Sequence, residues 1–131
     1  MSDTPNADNR PLSPHLQVYR LQGNMLMSIV HRITGAALYA GSALLAWWLI
    51  AAAVSPDQFA FVNGLLGSWF GRLVLIGFTW AVLHHLIGGI RHLIWDTGHG
   101  FELTTVNLMS WGSLVLSLAL TALIWVAAMR V

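Results

Sequence analysis

The chain has 131 residues, of which 56% are hydrophobic and only 8% are charged, and its formal net charge is +1. A soluble domain carries roughly 25% charged residues, so this composition cannot provide a water-facing surface. The near-neutral charge and the lack of a basic stripe argue against nucleic-acid binding. The absence of cysteine excludes thiolate-bound iron–sulfur clusters and disulfides from this chain. We therefore expect a single membrane-embedded domain.

Three apolar runs follow a polar N-terminal arm. The arm covers residues 1–27, and its prolines discourage helix formation. Spans are predicted at about 28–54, 69–95 and 106–129, each meeting the need for about 20 apolar residues to cross a bilayer. The stretch 58–68 is predicted to be an interfacial loop or a short helix. The sequence thus predicts an all-α membrane protein with three transmembrane helices within residues 28–131.

The placement of arginine predicts the orientation of the spans. Arginines precede or open the first span and close the second, and these two ends share one side of the membrane. The opposite side carries only Arg72 and Arg130. The excess of basic residues on the first side predicts a cytoplasmic N-terminus and a C-terminus outside. The arginines on the cytoplasmic side are Arg10, Arg20, Arg32 and Arg91.

The second span carries ionisable residues at a depth where they are costly, in the sequence HHLIGGIRHLIWD (84–96). His85 and His92 are seven residues apart, so they share one helix face at about 10 Å separation. His84 and Arg91 have the same spacing on a neighbouring face. Histidine is a standard axial ligand of haem iron, and cations near the membrane edge could neutralise haem propionates.

The same residues also fit simpler roles. A histidine in a span can form a helix–helix hydrogen bond, and Arg91 can extend its guanidinium to the interface. Gly88 and Gly89 permit close approach of either a flat ring or a second helix. The spans offer haem iron candidate ligands at one depth only, so a haem with two histidine ligands would need one from another chain.

The first span opens with SIVHRITG (28–35), which places Ser28, His31 and Arg32 at its cytoplasmic end. Ser28 and Arg32 are neighbours at i,i+4 on a helix. A hydroxyl and a guanidinium suit an oxygen that gains negative charge, as a quinone oxygen does on reduction. Alternatively, Ser28 caps the helix and Arg32 anchors it at the interface.

Taken together, three motifs resemble the cytochrome b subunit of succinate dehydrogenase, a membrane anchor of succinate:quinone oxidoreductase. They are RPLSPHLQVY (10–19), SIVHRITG (28–35) and HLIGGIRHLIWD (85–96). They occur in the order and at the spacing of that family, and the resemblance covers nearly the whole chain.

The resemblance implies a role for each matching position. His85 would be an axial ligand of haem b iron, with the other ligand on a second anchor subunit. Ser28 and Arg32 would line a ubiquinone pocket, and His31, Arg91 and His92 would lie near the haem propionates and the quinone. The adjacent His84 is the competing choice for the ligand.

The resemblance also implies partners and a location. The chain would join a second small anchor subunit, an iron–sulfur subunit and a flavoprotein in the bacterial cytoplasmic membrane, or in the mitochondrial inner membrane of a eukaryote. The segment containing His15 and Tyr19 would contact the iron–sulfur subunit. Electrons from succinate would reach ubiquinone, as in the tricarboxylic acid cycle and respiratory chain. The alternatives are a fumarate reductase anchor that works in reverse, or a haem-free structural anchor or small transporter.

Overall fold

The computed structural model of the protein describes residues 20–130, and within this range the chain is helical apart from short connections. The helices are α1 (Gly23–Val54), α2 (Pro56–Gly67), α3 (Trp69–Asp96) and α4 (Leu103–Ala128). Three of them, α1, α3 and α4, are long and apolar enough to cross a membrane. The prediction of an all-α protein with three membrane spans is confirmed.

Serine residues mark both turns at the short helix α2. Ser55 ends α1 and caps α2, accepting a hydrogen bond from the backbone N–H of Gln58 at 3.2 Å, and Pro56 occupies the first helical position. Ser68 then caps α3 by accepting from the N–H of Gly71 at 3.1 Å. The stretch predicted as a loop or a short helix is therefore a helix. At about 18 Å long, α2 is too short to cross a bilayer.

The first and last spans begin earlier than the sequence indicated. Helix α1 starts at Gly23, so residues 23–27, which were predicted to belong to the polar arm, are helical. Helix α4 starts at Leu103, and Gly98 and Gly100 in the preceding loop adopt positive φ angles of 81° and 80°. Only glycine adopts such angles without strain, which explains their role in this turn.

Helices α1 and α3 each pack against the three other helices. The described part of the chain buries more polar side chains than apolar ones, and most large apolar side chains face outward. This distribution is expected where the surrounding solvent is lipid, because small and polar residues then hold the helices together. The buried polar residues are Thr34, His84, Arg91, Ser110, Ser113, Ser117 and Thr121.

Candidate functional site

Two histidine rings meet between α1 and α3. His31 and His85 stack with their ring centres 3.9 Å apart and their planes within 8°. Each ring lies over a glycine of the opposite helix. A Cβ atom at Gly88 would come within 2.5 Å of His31 Nδ1, and one at Gly35 within 3.0 Å of His85 Cε1. The two glycines therefore make the room that the histidine pair occupies.

The hydrogen bonds of His85 define which ring nitrogen carries the proton. Its Nδ1 lies 3.1 Å from the backbone oxygen of His31 and 3.4 Å from Thr34 Oγ1. A carbonyl oxygen can only accept, so Nδ1 carries the hydrogen and donates it. In the neutral imidazole Nε2 then has the lone pair, and this atom makes no hydrogen bond to any residue between 20 and 130. A metal-binding histidine is commonly held in this way by its second nitrogen.

The neighbouring His84 has a different environment, between α3 and α4. Its side chain is only 1% exposed, and its Nδ1 lies 3.2 Å from Ser117 Oγ. The indole N–H of Trp80 donates to the same oxygen at 3.2 Å, and Ser117 donates its own proton to the carbonyl of Leu114. Ser117 has one proton to give, so both His84 Nδ1 and Trp80 must donate to it. His84 is enclosed by its own chain, whereas His85 is partly exposed.

A cavity of about 410 Å³ at the same end of the bundle brings the remaining predicted residues together. Ser28 and Arg32 of α1 line it with Arg91 and His92 of α3, and Trp95 completes that wall. Arg32 Nε donates to the backbone oxygen of Ser28 at 3.3 Å, which leaves the Ser28 hydroxyl uninvolved in this bond. The two motifs, more than fifty residues apart in sequence, thus contribute to one cavity.

Arg91 is buried without a full set of partners. Its guanidinium lies 5.0 Å from the ring centre of Trp95, and it reaches the hydroxyls of Ser110 and Ser113 at 3.4 and 3.5 Å. These are long hydrogen bonds. Its Nε atom, like His31 Nδ1, is buried with no hydrogen-bond partner in the described part of the chain. A guanidinium so placed beside a cavity favours an anionic or oxygen-rich ligand.

A polar column on α4 that faces α3 was not predicted from the sequence. Ser110, Ser113, Ser117 and Thr121 are all buried there, spaced three or four residues apart. Their spacing within an otherwise apolar run is the signal that could have identified them.

The predicted contact residues His15 and Tyr19 lie outside the described residues. Among residues 20–130 no group of three or more His, Cys, Asp or Glu side chains could hold a metal by itself.

The fold and these residues define a three-span helical membrane protein with a polar cluster between α1 and α3. Residues 6–124 match the family described as succinate dehydrogenase/fumarate reductase transmembrane subunit, and the chain belongs to this family. It is thus a membrane-anchor subunit of an oxidoreductase complex, and the resemblance carried by the three sequence motifs is confirmed.

Curated relatives support this assignment over most of their length. The chain is 47% identical over 118 residues to the succinate dehydrogenase cytochrome b556 subunit of Paracoccus denitrificans, covering 90% of this chain and 91% of the relative. It is 41% identical to the Rickettsia felis b556 subunit, covering 91% and 93%. The mitochondrial b560 subunit of Sus scrofa is 40% identical, covering 92% and 72%. Bacterial and mitochondrial relatives, with three apolar helices, indicate an inner-membrane location.

Proposed function

We propose that this chain binds haem b through His85 and helps to deliver electrons from succinate to ubiquinone. The Paracoccus denitrificans and Sus scrofa relatives are cytochrome b subunits of succinate dehydrogenase. The observation that carries the proposal is the hydrogen bond from His85 Nδ1 to the backbone oxygen of His31 at 3.1 Å. It fixes the neutral tautomer in which Nε2 is available to a metal.

The surroundings of His85 also fit a porphyrin. Gly35 and Gly88 give the paired rings room between α1 and α3, and His85 is partly exposed. Arg91 and His92 lie one to two turns further along α3, and Arg91 lacks an anionic partner among residues 20–130. A propionate would supply that anion. When bound, a haem b would supply one-electron redox chemistry.

The cavity at Ser28 and Arg32 supports the quinone part of the proposal. It is accessible from outside the chain and has a size suited to a ring with two carbonyl groups. Arg32 and the Ser28 hydroxyl would donate hydrogen bonds to a carbonyl oxygen as it becomes negatively charged. In a low-dielectric site such donors stabilise the charge strongly.

Membership of this family implies an iron–sulfur subunit and a flavoprotein as partners. This chain has no cysteine to hold an iron–sulfur cluster, so electrons would reach it from another subunit. We propose that a second small anchor subunit supplies the other iron ligand. His84 is enclosed between α3 and α4, and His31 stacks face to face with His85 at 3.9 Å, so neither ring is placed to bind the same iron from the opposite side.

The test is a reduced-minus-oxidised visible spectrum of the purified four-subunit complex, together with succinate oxidation coupled to ubiquinone or menaquinone. We expect a b-type spectrum and faster turnover with ubiquinone. A complex without a b-type band would exclude haem binding and leave a structural anchor. Faster fumarate reduction with menaquinol would instead identify the reverse enzyme.

A further inference from the structure

A second pocket lies at the opposite end of the bundle from the cavity at Ser28 and Arg32. It has a volume of about 470 Å³ and is lined by side chains from all four helices. On α1 it is lined by Gly41, Leu44, Leu45 and Trp48, and Leu45 is about 26 Å along the helix from Ser28. This pocket is therefore separate from the proposed haem and quinone sites, and a ligand bound in it would be independent of both.

The lining changes from polar to apolar with depth. Arg72, Leu75 and Phe78 follow one another at three-residue intervals on α3, so the wall extends about 9 Å along the helix from the guanidinium. Arg72 lies in the first turn of α3, beside Trp69, and the residues deeper in the pocket carry no charge. The short helix α2 contributes Asn63 at the polar end. A charged mouth above an apolar groove matches the two parts of a lipid molecule.

The two polar side chains at the mouth have no partner within the described chain. Neither Arg72 nor Asn63 makes a side-chain hydrogen bond or an ion pair to any residue from 20 to 130. Arg72 is also on the side of the membrane that carries few arginines, where a cation gains nothing from the positive-inside bias. Guanidinium binds phosphate through paired hydrogen bonds. Its charge favours an anionic ligand over a neutral one.

We propose that this pocket binds an anionic phospholipid, with its phosphate on Arg72 and Asn63 and part of an acyl chain against Leu75 and Phe78. The lipid would lie between α1, α2 and α3, and it would hold the interfacial helix α2 against the two spans. The phosphate would accept hydrogen bonds from the guanidinium of Arg72, and the apolar wall would take the acyl chain.

The test uses the whole complex, stripped of lipid with detergent and placed in bilayer discs of phosphatidylcholine with or without phosphatidylglycerol. Native mass spectrometry then counts the lipids that remain bound. We expect phosphatidylglycerol to be retained and Arg72→Gln to weaken retention about tenfold, the size of one charge-assisted hydrogen bond. Arg130→Gln is the matched control, because it removes an exposed arginine at the same end of the bundle but outside the pocket.

A second pair of variants tests the groove without changing charge. Gly67 lines the pocket and Gly64 does not, and a Cβ atom at either position meets no heavy atom within 4 Å. Gly67→Leu should reduce lipid retention, whereas Gly64→Leu should not. Equal retention by wild type, Arg72→Gln and Gly67→Leu would overturn the proposal. Displacement of the lipid by inorganic phosphate, equal retention of phosphatidylcholine, or a partner polypeptide seated in the pocket would overturn it too.

Discussion

At the scale of single residues, the contrast between His84 and His85 shows how two adjacent histidines acquire different chemistry. Successive residues on a helix point about 100° apart, so His84 faces α4 and His85 faces α1. Both rings donate from Nδ1, one to a serine hydroxyl and the other to a backbone carbonyl. The difference lies in access, because His84 is enclosed and His85 is not.

This contrast gives a direct prediction for haem binding. His85→Ala should remove the b-type spectrum of the purified complex, because no other described imidazole takes its place. His84→Ala should keep the band and lower the thermal stability of the complex, because Ser117 loses the imidazole that donates to it and Trp80 loses a ring contact. Loss of the band in His84→Ala with its survival in His85→Ala would reverse the ligand assignment.

Ser28 and Arg32 can be tested separately from assembly. Ser28→Ala removes only the hydroxyl, since Arg32 is held by the backbone oxygen of Ser28. We expect each of Ser28→Ala and Arg32→Ala to slow ubiquinone reduction about tenfold to hundredfold, the range of one lost charge-assisted hydrogen bond. Succinate oxidation with a soluble artificial acceptor should be unchanged. Equal losses in both assays would indicate defective assembly and contradict a quinone site.

At the scale of elements, the contact between α1 and α3 depends on glycine at one position and not at the next. A methyl group at Gly88 would fall 2.5 Å from His31 Nδ1, but at Gly89 it would meet nothing within 4 Å. Gly88→Ala should destabilise the complex by about 1–3 kcal/mol, as overpacking does in other cores. It should also disturb the haem spectrum. Thermal unfolding should show no such loss for Gly89→Ala, and equal effects would contradict this packing.

The contact between α3 and α4 depends on hydroxyl groups. Ser117→Ala removes the acceptor of the Trp80 indole N–H and one acceptor of the His84 imidazole at this contact. The expected cost is about 1–3 kcal/mol of unfolding free energy, measured in detergent. Ser42→Ala is the control, because that hydroxyl is exposed and bonds only to Leu38 of its own helix. A similar cost for both variants would mean that the contact between helices contributes nothing.

The three spans could be predicted from the sequence because a charge-free run of sufficient length has few other structures available. The helical start at Gly23 could not, because the glycine and Asn24 resemble a loop. That turn packs on α4, where a Cβ at Gly23 would lie 3.0 Å from Trp111 Nε1. The sequence also could not predict which face of α3 points towards α1 and which towards α4. When lipid and protein interior are both apolar, hydrophobicity does not distinguish the faces of a helix, and His84 and His85 remained alternatives.

At the scale of the whole molecule, the order of the helices decides on which side of the membrane each arginine lies. The start of α1 and the end of α3 meet at the cavity of Ser28 and Arg91, so these ends lie on one side of the membrane. Helix α2 is too short to cross, which leaves an odd number of spans and puts the two ends of the described chain on opposite sides. The positive-inside bias then favours a cytoplasmic start of α1.

The orientation can be measured cleanly because the chain contains no cysteine. Gln58 of α2 and Thr97 after α3 are both exposed and lie on opposite sides of the proposed bilayer. In intact spheroplasts a membrane-impermeant maleimide should label the Gln58→Cys variant. The Thr97→Cys variant should react only after the cells are lysed and the protein is unfolded in detergent. The unfolding step exposes Thr97→Cys even where a partner subunit covers it in the complex. The reverse pattern would put the quinone cavity on the outer side, away from a cytoplasmic iron–sulfur partner, and would contradict the proposed electron path.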